Sequence, residues 1–238
     1  MTLPARITVH HLNHSRSQRI LWLLEELGLP YEIVRYERDP QTLLAPPALK
    51  AIHPLGKSPV VTLDALVLAE SGAIIDALIE RFDTPGRLAP PPGTPEALRY
   101  RYWLHFAEGS AMPPLLMKLV FDRVRAAPMP FLLRPLVQPM ARTIANRVES
   151  GFFGPQIAAQ LAYMESELQA RDWFAGPSFT AADVQMSFPL QAAQARAGLN
   201  ARQHPRLTDW LARIHARPAY QRALARGGPY AVAGQAQD

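Results

Sequence analysis

Three short stretches in the first third of the chain carry side chains suited to holding a small polar ligand. Asn13-His14-Ser15-Arg16-Ser17-Gln18-Arg19 ends a strand-like run and opens a helical one. Unpaired N–H groups at a helix N-terminus make a positive potential, and a hydroxyl beside them can donate to an anion such as a thiolate. Ser15 and Ser17 both suit that role, and either also suits a plain N-cap. Lys57-Ser58-Pro59-Val60 is the second stretch. A Ser–Pro bond ahead of a buried strand is a candidate cis peptide, which would offer the Ser58 backbone to a ligand instead of the sheet. Lys57 could reach a carboxylate. Glu70-Ser71-Gly72 is the third. Ser71 is a natural N-cap, and Glu70 would lie beside exposed N–H groups and could hold an ammonium; capping alone also accounts for this pair.

The chain has no cysteine. Disulfides, zinc–thiolate sites, iron–sulfur clusters and nucleophilic protein thiols are excluded, so any thiol chemistry must use the sulfur of a substrate. His10, His11 and His14 invite a metal reading, but adjacent strand residues point to opposite faces, and no carboxylate cluster accompanies them. No metal is expected.

The elements that must position these stretches follow from periodicity. Ile7–Leu12 is strand-like, and Ile20, Leu23, Leu24 and Leu27 fall at helical spacing over residues 17–27. Gly28 suits a helix C′ position and Pro30 bars continuation. Residues 31–36 alternate as a second strand, and the prolines around 41–53 allow one short helix. Residues 60–63 and 66–69 form a hairpin across Asp64-Ala65, and Ile74, Ile75, Leu78 and Phe82 mark a helix. The order β-α-β-α-β-β-α predicts a mixed four-stranded sheet. Residues 84–94 form a Pro-rich linker, and everything beyond reads as helix. Pro113-Pro114 is expected to interrupt a helical region over 95–127, and residues 128–139, with four prolines, to form a loop with one short helical piece. Thr180 and Asp183 fit a capping box, with Phe179 and Val184 as its hydrophobic staple. Pro189 removes a bond to Gln185 in the helix that follows. Two short helices should lie near 205–216 and 217–226.

Of 238 residues, 48% are hydrophobic and 19% charged, which excludes wholesale disorder and allows a sizeable core. No apolar run approaches a membrane span, and no signal-peptide core precedes the first strand, so a cytoplasmic protein with no membrane partner is expected. The net charge of +5 is uneven: residues 1–83 carry 8 basic and 10 acidic side chains, the remainder 17 and 10. These arginines are scattered along amphipathic helices, which suits a solvated surface and not nucleic-acid binding.

Taken together, Ser15 to Tyr31, His53-Pro54-Leu55-Gly56-Lys57-Ser58-Pro59, Glu70-Ser71 and Ser178 to Asp183 resemble the cytosolic glutathione S-transferase superfamily along nearly the whole chain. Ser15 lies four residues before Arg19, and Glu70-Ser71 begins eleven residues past Pro59, a pattern similar to the serine classes of theta and delta type. The resemblance implies an α/β thioredoxin-like glutathione-binding domain over 1–83, the linker 84–94, an all-α helical domain over 95–228 and a frayed tail over 229–238. It implies glutathione as co-substrate, with the thiolate on Ser15; Asn13 is the second choice and His14 the third. The Ser58 backbone, before cis-Pro59, would pair with the cysteinyl part, Lys57 would approach the glycyl carboxylate, and Glu70 and Ser71 would hold the γ-glutamyl end. Trp103, Phe106, Glu108 and Met112 are candidates for a pocket holding a small hydrophobic electrophile. A homodimer is implied, with the last helix of the first domain and the first of the second at the interface, and Arg81 and Arg87 at its rim. Peroxidase or isomerase activity on the same site, or a non-catalytic interaction module, are the alternatives. The chain departs from the family in having Ser58 where an aliphatic residue is usual, His53 where Asn is common, and a longer Pro-rich 128–139 segment.

Overall fold

The computed structural model describes residues 5–42, 44–128, 130–228 and 230. Its first half runs β1 (Ile7–Leu12), α1 (Ser17–Leu27), β2 (Glu32–Tyr36), α2 (Pro47–Ile52), β3 (Val60–Leu63), β4 (Leu66–Ala69) and α3 (Ser71–Phe82). The four strands lie in the order β2-β1-β3-β4. β1 is parallel to β2, with Val9 opposite Ile33, and antiparallel to β3, with Val9 opposite Val61. The α1 crossover makes the parallel pair possible, and a left-handed Gly28 at φ 69° ends it. The Leu29 N–H then closes back onto the Leu24 carbonyl at 3.1 Å. Asp64 takes φ 55° in the β3–β4 turn, supplying the conformation that glycine would have given. Its carboxylate accepts from the Arg6 N–H at 2.9 Å and pairs with Arg81.

The second half is helical: α4 (Pro95–Phe106), α5 (Met112–Ala126), α6 (Arg134–Val148), α7 (Gly154–Gln169), α8 (Ala181–Arg196), α9 (Pro205–His215) and α10 (Pro218–Gly227). The expected break at Pro113-Pro114 does not occur. A π-helical turn over Ala107–Ala111 joins α4 to α5, and the prolines occupy the first turn of α5, where missing N–H groups cost little. The Ser110 carbonyl, four residues before Pro114, accepts instead from Gln160 Nε2 at 2.9 Å. The expected loop over 128–139 is also shorter than predicted. Pro135 and Pro139 lie in α6, a helix of 15 residues, with Pro135 in its first turn. The capping box holds: Asp183 accepts from the Thr180 N–H at 2.9 Å and Thr180 Oγ1 at 3.1 Å, and Phe179 and Val184 are buried around it.

One continuous core spans both halves, from Val9, Leu24 and Ile75 to Leu161, Val184 and Trp210. α1 lies between the sheet and the helices. Its outer end is clamped by α10 through the ion pairs Arg217–Glu26 at 2.6 Å and Arg222–Glu25 at 2.8 Å. The tail expected to fray lies outside the described residues except Tyr230, whose hydroxyl donates to Gln191 at 3.0 Å. Among the described residues no helix is long and apolar enough to cross a membrane.

Candidate active site

Ser15 lies in the turn between β1, which ends at Leu12, and α1, which begins at Ser17, and it is 3% exposed. Ser15 Oγ accepts from the N–H of Ser17, the first residue of α1, at 3.2 Å, and it also lies 3.1 Å from Ser58 Oγ. The Ser58–Pro59 peptide is cis. Behind Ser15, a chain of polar atoms runs inward: Ser15 Oγ to Ser17 Oγ at 2.8 Å, then Ser17 Oγ to His11 Nδ1 at 2.8 Å. Burial, and after it the Arg35 charge, push the His11 ring down to about 4, so it is neutral near pH 7. The other side of the ring meets the backbone of Gly227 at the end of α10. A Cβ on Gly227 would lie 2.8 Å from both Gln18 Oε1 and Leu21 Cδ1, so a larger residue there would have to push those side-chain ends aside.

The neighbours of Ser15 are committed elsewhere. The Asn13 side chain accepts from the Arg38 N–H at 3.0 Å and donates to Glu37. Ser17 is fully buried against His11. His10 lies on the other face of β1, bonded to Tyr36 and Thr62 at 3.0 Å each. Among the described residues, no three His, Asp or Glu side chains gather in a way that could hold a metal.

Ser71 opens α3 and is buried. Its Oγ accepts from Arg19 Nη2 at 3.0 Å and from Gln185 Nε2 at 3.4 Å, which leaves its own proton for an incoming acceptor. Glu70, just before it, is exposed and holds φ 68°. Lys57 is exposed beside Ser58.

Arg19 ties these pieces to the helical half, and sequence reasoning gave it no role beyond its spacing. It is 1% exposed. Nη1 donates to the Gln185 carbonyl at 2.8 Å, and Nη2 donates to Glu108 at 2.6 Å as well as to Ser71. The Gln185 carbonyl is the one that Pro189, four residues on, cannot satisfy. A proline inside a helix, together with an arginine in the apolar first helix, was the available signal. Glu108 also accepts from Arg16 Nε, at 3.1 Å to both oxygens. Burial works to raise the Glu108 carboxyl, but the Arg19 and Arg16 charges bring it below its ordinary value.

Of the four candidates for an electrophile pocket, Glu108 alone is joined to the Ser15 loop by a bond. Trp103 has no exposed surface. Its ring packs 4.6 Å from Phe174 and 5.0 Å from Phe106, which makes it core and not pocket wall. Met112 is 7% exposed in the same core, and Phe106 packs against it half-buried. Phe106 ends α4 and Met112 begins α5, two helices that pack on α8, so packing claims them.

A thioredoxin-like sheet with a cis-proline at its third strand, followed by an all-helical half, defines the fold of a glutathione S-transferase. The chain matches the N-terminal domain of that family over residues 15–81 and its C-terminal domain over residues 154–218. It is 37% identical to glutathione S-transferase 3 of Schizosaccharomyces pombe, over 90% of this chain and 84% of the relative. It is 35% identical to glutathione S-transferase 1 of Saccharomyces cerevisiae, over 92% of this chain and 94% of the relative. The crystal structure of a glutathione S-transferase from Actinobacillus pleuropneumoniae superposes with a TM-score of 0.74 at 34% identity, covering 93% of this chain and 92% of that one. The chain belongs to the glutathione S-transferase family.

Proposed function

We propose that this chain is a glutathione transferase that joins the glutathione thiolate to small apolar electrophiles, with Ser15 as the thiolate's donor. A free thiol, with pKa ~8.5, is only a few per cent ionised near neutral pH, and a helix N-terminus with a hydroxyl donor lowers that value. The thiol proton passes to water. The thiolate then attacks the electrophilic carbon, a C–S bond forms, and the leaving group departs with the electrons of its own bond. Holding the thiolate beside the electrophile adds proximity. Residues 1–83 form the glutathione half in this reading. The Ser58 backbone meets the cysteinyl unit, Lys57 the glycyl carboxylate, and Glu70 with Ser71 the γ-glutamyl end. Glu108 braces Arg16 at the edge of the Ser15 loop.

The observation that carries this reading is the placement of Ser15: a buried hydroxyl just ahead of α1 that accepts from the N–H of its first residue and lies 3.1 Å from the hydroxyl of Ser58, which precedes the cis-proline. The test is the pH–rate profile of Ser15→Ala against the parent with an aryl halide. The variant should still bind glutathione and lose turnover near neutral pH, and the loss should shrink at high pH, where the thiol ionises unaided. An unchanged profile would remove Ser15 from the role.

A further inference from the structure

Ser58 stands where an aliphatic side chain would do for packing, yet its hydroxyl is 3.1 Å from that of Ser15. Each hydroxyl carries one proton, and the network fixes where most of the protons go. The neutral His11 ring carries one proton, and its Nε2 faces Gly227, 3.6 Å from where a Cβ there would lie, so the proton is assigned to Nε2. His11 Nδ1 is then an acceptor, and at 2.8 Å it is better placed than the Leu12 carbonyl, 3.4 Å away, to take the one hydroxyl proton of Ser17. The Ser17 N–H is given to Ser15 Oγ at 3.2 Å. Two protons remain uncommitted, those of Ser15 and Ser58. Ser17 Oγ, 2.8 Å from Ser15, competes as an acceptor for the first. For the second, the one side-chain neighbour within hydrogen-bond distance among the described residues is Ser15 itself. Ser58 is half-buried, so one side of its hydroxyl is open to an arriving group.

We propose that Ser58 is a second catalytic hydroxyl, donating to the glutathione thiolate beside Ser15. This rests on the assignment of Ser15 above. A thiolate has more than one lone pair, and two hydroxyl oxygens 3.1 Å apart can both touch a single sulfur. Ser17 and His11 act one step back as positioning residues: by taking up Ser17's proton, His11 leaves Ser17 as an acceptor and a backbone donor, and no third hydroxyl proton competes for the sulfur. The two donors then divide the stabilisation that Ser15 would otherwise have to supply alone.

The experiment measures the pKa of the enzyme-bound glutathione thiol from the ultraviolet absorbance of its thiolate, with glutathione affinity by calorimetry. The variants are Ser15→Ala, Ser58→Ala, the double variant, and the shape-matched pair Ser58→Thr and Ser58→Val. Ser58→Ala should raise the bound thiol's pKa by about one unit while affinity stays within about twofold. The double variant should raise it further than either single change. Thr should match the parent where Val does not, which separates the hydroxyl from side-chain size and keeps the test sound if Ala disturbs the loop. A rise in Ser15→Ala with none in Ser58→Ala would overturn this proposal and leave the Ser15 assignment standing. A Ser58→Ala effect that vanishes when Ser15 is already alanine would overturn it too, since Ser58 would then act only by orienting Ser15. Equal values for Thr and Val would do the same. No rise in any variant would overturn both assignments together. A rise in the Ser58 variants alone would sink the Ser15 assignment and overturn the two-donor arrangement with it, leaving Ser58 as the sole donor.

Discussion

Glu70 holds a left-handed backbone, φ 68°, at an exposed position where glycine would be at ease. A strained non-glycine residue persists when its side chain is needed. Losing one charge-assisted bond to the γ-glutamyl end should cost about 1.5–3 kcal/mol, or about ten- to a hundredfold in glutathione affinity. Glu70→Gly should therefore weaken binding by that factor in calorimetry while its melting temperature holds or rises. Affinity within twofold of the parent would misplace the clamp. His11 gives a second prediction at this scale. Its folded-state pKa of about 4 lies below the ordinary 6.5, so between those values the unfolded chain takes up a proton that the folded chain refuses. Stability should fall as pH drops through that window, by about 3 kcal/mol from this residue at the limit. His11→Gln retains an amide donor and acceptor without the titration. Urea midpoints at pH 7 and pH 4.5 should lie closer together in that variant than in the parent. That Ser15, Ser58, Glu70 and Ser71 lie at junctions between elements was legible in the sequence, because local spacing reveals those junctions. Trp103 was not: whether an aromatic on a helix lines a pocket or fills a core depends on what faces it, and Phe174 lies about seventy residues away in the chain.

At the scale of elements, the order of strands, the mixed sheet, the end of α1 at Gly28 and the capping box of α8 all followed from period, turn chemistry and caps. The prolines did not. Pro113, Pro114 and Pro135 were expected to break helices, and each occupies a first turn, while Pro139 is accommodated within α6. A proline removes one donor, and whether the helix survives depends on who satisfies the freed carbonyl, which is a tertiary fact. Pro189 shows this most plainly. It frees the Gln185 carbonyl in the middle of α8, and Arg19 of α1 fills the place at 2.8 Å. The break in one half's helix is thus the docking point of the other half. Arg19→Met should destabilise the fold by about 3–5 kcal/mol, because Gln185, Ser71 and Glu108 all lose a buried partner. Pro189→Ala restores an N–H to the Gln185 carbonyl. In the Arg19→Met background it should recover about 1 kcal/mol, a gain absent when Arg19 is present. A double-mutant cycle by urea denaturation measures that difference, and strict additivity would mean that the arginine does not depend on the proline.

For the whole molecule, the continuous rod of α4, its π-helical turn and α5 leaves one face bare. Leu98, Tyr102, Gly109, Leu116, Val120 and Val124 recur on it at helical spacing, and every one is exposed. Leu66 and Val67 on the edge strand β4 are exposed as well, at 59% and 46%. A monomeric soluble protein rarely leaves so long an apolar face uncovered, and a twofold pairing of like surfaces is the commonest way to bury one. We propose the rod of α4 and α5 as the centre of a homodimer, in place of the α3 and α4 pair that the resemblance implies. Arg81, first assigned to the rim, already pairs with Asp64 at 2.8 Å. A Cβ on Gly109 would meet no atom within 4 Å, so the space above it is free for a facing helix to approach. Leu116→Glu puts a charge in the middle of the stripe without disturbing the fold of one subunit, since Leu116 is 52% exposed. The parent should sediment as a dimer at micromolar concentration, and Leu116→Glu as a species near the 26.4 kDa of one chain, with the same circular dichroism spectrum. Glutathione binding should survive in that monomer, because Ser15, Ser58, Glu70, Ser71 and Arg19 all come from a single chain. A parent that sediments as a monomer would sink the pairing. A variant that stays dimeric would move the interface off the rod and onto the β4 edge.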